Sequence, residues 1–451
     1  MSDPAVTRSR ELADFLADVK FDDRLLALTQ GYVLDTLACI MFGARQPWSK
    51  VAAAHALRTG GEGRSTVFGA EEARTTPAMA AFANGAAGHA FELDDVHEEA
   101  ISHPGAVVIP AALALVEDLG SSGAAFLDAV AVGYESMGRA GIAVGPLTHM
   151  LGGFHPTSMS GVFGAAAAAG RLLGFDGEQM NHAFGTAVSL ASGTMEFSAS
   201  GGMAKRIHAA RAAEGGLTAA LLVADGLEGA ADGLAGTYGF CNVFTSEPHI
   251  ERLTENLGER WMLDEITIKR WASCSDIHPM IQATEELRDE YGLTADMIER
   301  IEATGPTKAA IQNSLDGTTS VMAAQYSGEW NIAAAILADP ADPATYDSDK
   351  IATPDIAALQ AKVVSIDPAA EWDATYAWKM GGAVRIILTD GRVLERSVHG
   401  QKGSMHDPLG PTEVEAKARK LLGPSATALA HTVRTLQEAE AVDFGANYFS
   451  C

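Results

Sequence analysis

The chain is 451 residues long, room for one large domain and a smaller one, and a chain of this size buries a core without disulfide support. Its 58 acidic against 32 basic side chains leave a net charge of −26, a field that repels nucleic acid and anionic membranes. Four cysteines, Cys39, Cys241, Cys274 and Cys451, stand far apart with no Cys-x-x-Cys pair, which argues against structural zinc, an iron–sulfur cluster or a disulfide framework.

The opening MSDPAVTRSRELADFLADV has no basic segment leading into an apolar core, and no uncharged apolar run reaches membrane-span length. A cytoplasmic location is expected. Residues 10–43 predict two helices around Lys20-Phe21-Asp22-Asp23, the second ending at Gly43. A helix follows over 77–91, then one opened by Pro110 and running to Leu119. Ser121 or Ser122 caps the next. SMSGVFGAAAAAGRLL, residues 158–173, is so rich in small residues that it predicts a fully buried helix, capped by Thr157 or Ser158. Further helices are expected near 177–193 and 207–225.

The texture changes beyond residue 260. Met297–Thr304 alternates apolar and polar residues, and the stretch from Ala383 to Arg396 predicts a hairpin turning at Asp390-Gly391. Helical stretches at 278–291 and 328–338 lie between. Residues 412–436 return to helix and are expected to pack on the helical part. The fold class is therefore mainly α: a large all-helical domain, 1–265 with 405–451, and a smaller α+β domain, 266–404.

Four stretches concentrate chemistry. Glu92-Leu-Asp94-Asp95-Val-His97, followed by Ser102-His103-Pro104-Gly105, offers acids and imidazoles for proton transfer and substrate orientation, with a spacing that matches no standard metal motif. Gly152-Gly-Phe-His155-Pro156 puts an imidazole at the head of the Ala/Gly helix, beside N–H groups that favour anions. Gly201-Gly-Met-Ala-Lys205-Arg206-Ile-His208 puts cations at a helix start, where the macrodipole disfavours them and a carboxylate ligand would offset the cost. Lys205 and His208 share a face if helical. Lys269-Arg-Trp-Ala-Ser273-Cys274-Ser-Asp-Ile-His278-Pro279 combines a thiol and an imidazole, which keeps a Cys–His hydrolase open beside a buried, inert cysteine.

Together these stretches resemble the MmgE/PrpD family, which includes 2-methylcitrate dehydratase, cis-aconitate decarboxylase and iminodisuccinate epimerase. The matching pieces span nearly the whole chain: Val33-Leu-Asp-Thr-Leu-Ala, Asn84-Gly-Ala-Ala-Gly-His89-Ala, Leu93-Asp-Asp with His103-Pro-Gly, Gly153-Phe-His155, Lys205 with His208-Ala-Ala, Cys274 with His278-Pro, and Ala324-Gln-Tyr-Ser327. The resemblance implies a helical domain with a smaller lid domain, an active site between them, a homodimer, and no metal or organic cofactor. It places catalytic roles on His103, His155, Lys205 and His278, with Asp94 or Asp95 orienting a histidine. Glu92, Asp95, His97, Arg206, His208, Ser273 and Cys274 are expected around the substrate. The family's Asp-x-Asp-Asp-Thr segment departs here in two places: Glu92 stands where Asp is usual and Val96 where Thr is usual.

The implied substrate is a small polycarboxylate. A proton beside a carboxylate is weakly acidic, so its removal needs a positioned base and stabilisation of the developing charge. Dehydration of a 2-methylcitrate-like hydroxy acid is the first expectation. Epimerisation of an iminodisuccinate-like diacid and decarboxylation of a cis-aconitate-like acid follow. A non-catalytic helical scaffold is the alternative outside enzymology.

Overall fold

A computed structural model describes residues 6–70, 73–197, 203–314, 318–376 and 378–444. Gly201, Gly202 and Cys451 lie outside the described residues. The chain divides into two compact units. One comprises Met1–Ala90, Asp94–Ile266 and Pro411–Cys451, the other Phe91–Leu93 and Thr267–Gly410.

The first unit is built from helices α1 (Arg8–Asp18), α2 (Asp23–Gly43), α3 (Pro47–Gly60), α4 (Pro77–Gly88), α5 (Gly105–Leu119), α6 (Gly123–Ala143), α7 (Pro146–Leu151), α8 (Pro156–Leu172), α9 (Gly177–Ala187) and α10 (Ala204–Ala224). Local chemistry sets several ends. The Asp22 carboxylate accepts the Leu25 N–H at 2.8 Å to start α2, and Ser122 Oγ accepts the Ala125 N–H at 3.3 Å to start α6. By length and composition α2 could cross a membrane, but 67% of its most apolar window is buried within the fold. It is a core helix.

The centre of this unit is the stack of α6, α8 and α10. Small residues bring the axes together. A Cβ at Gly133 of α6 would lie 2.9 Å from the Gly164 carbonyl of α8, so a methyl there would force the helices apart. Every residue of α8 from Pro156 to Gly170 is buried, as its Ala/Gly run requires.

Three local readings change. α5 begins at Gly105, with Pro110 inside it, because the Asp95 carboxylate already holds the Gly105 N–H at 2.8 Å. α4 stops at Gly88, so His89 leaves the helix. The residue capping α8 is His155, without a side-chain cap bond; the Thr157 hydroxyl instead accepts the His103 N–H at 3.1 Å.

The second unit carries a four-stranded sheet of β1 (Ile298–Gly305), β2 (Val363–Pro368), β3 (Gly381–Leu388) and β4 (Val393–His399), in the order β2-β1-β3-β4. β1 runs parallel to β2 and antiparallel to β3. The β3–β4 hairpin pairs Ile387 with Val393, and Gly391 takes φ +85° at its turn. Helix α11 (His278–Tyr291) packs on β3, on β4 and against α12 (Gly328–Leu337). The chain then returns to the first unit through α13 (Pro411–Leu422) and α14 (Ser425–Arg434), both of which pack on α2. The edge strand β2 has no counterpart in the sequence reading: it is short, and its Val364 faces solvent.

Candidate active site

The end of α4 and the loop after it create the first half of the site. His89 is fully buried, and its Nδ1 lies 2.6 Å from Asp94 Oδ2, with the ring N–H donating to the carboxylate. The same Asp94 oxygen lies 3.3 Å from His103 Nδ1. His103 Nδ1–H also donates to the Asp95 carbonyl at 2.7 Å. Both rings therefore carry their proton on Nδ1 when neutral, which leaves Nε2 as the basic atom. One carboxylate thus orients two imidazoles whose ring centres are 5.0 Å apart.

The adjacent aspartate does different work. Asp95 accepts the Tyr134 hydroxyl at 2.7 Å as well as the Gly105 N–H. Burial pushes its carboxyl up to about 7. Gly105 is required here: a Cβ would stand 2.3 Å from Thr36 Oγ1, 2.7 Å from Asp95 Oδ1 and 2.9 Å from Tyr134 Oη.

The second half comes from the starts of α8 and α10. His155, buried at the head of α8, has its ring centre 5.9 Å from that of His89. Its Nδ1 is 3.1 Å from His208 Nδ1 on the first turn of α10. Its backbone N–H donates to the Gly193 carbonyl at 3.2 Å, which ties the residue to the loop before α10. Phe197 packs edge-on against both rings. Lys205 is buried on the same helix turn. Burial first, then the neighbouring His89 and the Lys205 charge, hold both rings below the ordinary histidine range, His208 at about 4. Arg206 is buried too, and its guanidinium donates to the His89 carbonyl at 3.2 Å, fixing the backbone where α4 ends.

The ring and carboxylate atoms of His89, Asp94 and His103 lie within 4.8 Å of one another, the reach of a metal site. However, an N···O spacing of 2.6 Å belongs to a shared proton; two ligands on one zinc, each at about 2.0–2.1 Å, stand about 3.3 Å apart. The His89–Asp94 spacing is that of a hydrogen bond.

Of the residues expected from sequence, the first unit brings together Asp94, Asp95, His103, His155, Lys205, Arg206 and His208. His97 goes elsewhere. Its Nε2 lies 3.5 Å from Glu265, its Nδ1 accepts the Ala100 N–H at 3.3 Å, and its backbone pairs with Ser102 to close the loop. His89 was missed as a site residue. A histidine released at a helix end just before an acidic run was the available signal.

Glu92, Ser273, Cys274 and His278 belong to the second unit. Glu92 takes φ +56°, a strained conformation for a residue with a side chain, and its carboxylate lies 3.5 Å from buried Lys269. Gln325 anchors the same short segment by donating to the Phe91 carbonyl at 2.8 Å. His278 heads α11, stacks edge-on against Trp271 and meets the Ser273 carbonyl through Nε2 at 3.3 Å. The Cys274 thiol faces the Asp276 carboxylate at 3.6 Å, and burial pushes it up to about 11. A nucleophilic cysteine needs the opposite shift, so the Cys–His hydrolase reading is withdrawn.

Comparison with known proteins identifies the family of the chain. Residues 10–253 match the MmgE/PrpD N-terminal domain and residues 271–441 the MmgE/PrpD C-terminal domain. The chain is 29% identical over 441 residues to cis-aconitate decarboxylase of Aspergillus terreus, covering 92% of this chain and 89% of that protein. It is 30% identical over 451 residues to the cis-aconitate decarboxylase-like protein oryM of Aspergillus oryzae, covering 93% and 91%. Human cis-aconitate decarboxylase is 31% identical over 290 residues, 62% of this chain and 60% of that protein.

Proposed function

Because the chain belongs to the MmgE/PrpD family, we propose that it is a lyase that moves a proton on a small polycarboxylate, and that its reaction is decarboxylation of a cis-aconitate-like acid. The observation that carries this reading is the proton-sharing array itself: Asp94 held between His89 and His103, with the His155–His208 pair and Lys205 beside them. The relatives' names put loss of carbon dioxide before the dehydration that the sequence alone ranked first.

The chemistry follows from the groups. Lys205 attracts a substrate carboxylate, and a bound polyanion favours the cationic form of the rings around it. In decarboxylation the bond to one carboxylate breaks and carbon dioxide leaves. The released electron pair forms a new double bond, and the former double-bond carbon takes the proton from an imidazolium. Buried, preorganised donors stabilise that charge shift more than water does. His155 is assigned as the proton donor, with His208 behind it. His103, oriented by Asp94, is the alternative donor, and the spent imidazole regains its proton from solvent. No cofactor is invoked, and the working form is proposed to be a homodimer.

A second reading rests on Val96. It is buried where the family pattern carries a threonine, and it offers no hydroxyl to a substrate. That favours a substrate related to cis-aconitate but distinct from it.

The test is proton NMR in D₂O with cis-aconitate, citrate and 2-methylcitrate, for the natural chain and Lys205→Ala. Deuterium incorporation with release of carbon dioxide from one acid, abolished in the variant, is expected. Absence of exchange and of turnover on all three acids would overturn the reading. Dehydration without release of carbon dioxide would replace it by the hydro-lyase.

A further inference from the structure

The C-terminal helix reaches the buried acids behind the site. α13 contributes Lys417, whose Nζ lies 2.7 Å from Asp35 Oδ1 on α2, and both side chains are nearly solvent-free. The next residue on α2, Thr36, has its hydroxyl at the spot where Asp95 Oδ1 and Tyr134 Oη also converge around Gly105. One turn of α2 therefore brings Asp35 into the same water-poor volume as Asp95 and, through it, Asp94.

Three aspartates in such a place repel one another. Asp94 acts on Asp35, and both act on Asp95, in each case disfavouring the carboxylate form. Lys417 acts in the opposite sense on Asp35, and its own ammonium is stabilised by Asp35, Cys39 and Asp95. The other ionisable groups facing this volume are Tyr32 and Cys39 on α2 and Tyr134 on α6, all pushed up by burial and so neutral near pH 7.

A buried ion pair adds little stability over an apolar pair of the same shape, because desolvating two charges offsets their attraction. Its field on neighbouring groups is what an apolar pair would lack. We propose that Lys417 is a positioning residue for the site: its ammonium is the counter-charge that offsets the mutual repulsion of Asp35, Asp94 and Asp95 behind His89 and His103. The inference rests on the proton-handling reading above, but it concerns the charge balance of the empty site.

The test uses the full chain without substrate. The histidine rings are labelled with nitrogen-15, and their titration midpoints are read by NMR in the natural protein, Lys417→Met, Asp35→Asn and the double variant. Loss of a positive charge favours imidazolium, so Lys417→Met raises the midpoints of the cluster rings by about half a unit or more. Asp35→Asn lowers them, and the double variant returns near the natural values. Should Lys417→Met not fold, the double variant must titrate above Asp35→Asn by the same step. Equal midpoints in those two proteins overturn the proposal and leave the pair a packing feature. Substrate turnover does not enter the readout, so failure here and failure of the lyase reading are separable.

Discussion

The Nδ1 atoms of His155 and His208 face each other at 3.1 Å. At that distance the two nitrogens share one proton. A second proton would set two cations against each other in a place where burial and the Lys205 charge already disfavour one. The empty site therefore holds this pair neutral at physiological pH. Charging it is left to the ligand.

This has a measurable consequence for binding. A polycarboxylate arriving between these groups raises the ring pKa values, so binding takes up protons. Affinity should strengthen as pH falls from 8 toward 6, approaching tenfold per unit for each proton taken up. Calorimetry in buffers of different ionisation heat reads the uptake directly. Binding that is pH-independent and proton-neutral would show that the pair does not face the ligand.

Asp94 is the carboxylate that touches two rings, so Asp94→Asn tests orientation with little change of shape. Turnover is expected to fall by about 10²- to 10⁴-fold, the usual range for general acid–base assistance. Asp95→Asn disturbs Tyr134 and Gly105 instead and is expected to cost stability more than rate. Equal kinetic losses in the two variants would refute this division of labour.

The histidine pair also makes folding pH-dependent. Both rings have folded pKa values below the unfolded value near 6.5, so the stability they contribute is complete above that pH. It is lost as pH falls through the folded values, about 4 for His208. Asp95 works in the other direction: its carboxyl near 7 contributes below the unfolded value of 3.8, and that contribution disappears as pH rises through 7. Urea unfolding at pH 7.5 and 5.0 should show the His155→Gln/His208→Gln double variant losing less stability on acidification than the natural chain. An identical or steeper loss would contradict the assignment.

Thr157→Val removes the hydroxyl that accepts the His103 N–H. An unsatisfied buried donor costs about 1–3 kcal/mol, and the melting point should drop accordingly. Thr157→Ser, which keeps the acceptor, should stay near the natural value. If valine and serine behave alike, the hydroxyl has no such role.

Cys274→Ala should leave kcat and KM within about twofold, because a thiol held near 11 is protonated at working pH and inert. A loss of a hundredfold or more would reinstate the thiol as a participant.

The helices were readable where periodicity and capping are local: Asp22 and Ser122 cap as their chemistry requires, and the Ala/Gly run of α8 is buried throughout. The hairpin announced itself through Asp390-Gly391, because few other residue pairs allow that turn. β2 gave no such signal, being a short edge strand whose pairing comes from a distant partner. The start of α5 was misplaced because Gly105, not Pro110, is set by a contact with Asp95.

The division is sharpest at the site. The residue types, and the stretches that carry them, could be named from the chain alone, since imidazole, carboxylate and ammonium chemistry belongs to each residue. Which acid meets which ring could not. Asp94 and Asp95 are neighbours in sequence, yet one holds His89 and His103 while the other holds Tyr134 and Gly105. His155 and His208 stand 53 residues apart and touch only because α8 and α10 pack side by side. Local patterns specify elements. Contacts between elements are decided by how the whole core packs, and the meeting of these groups exists only there.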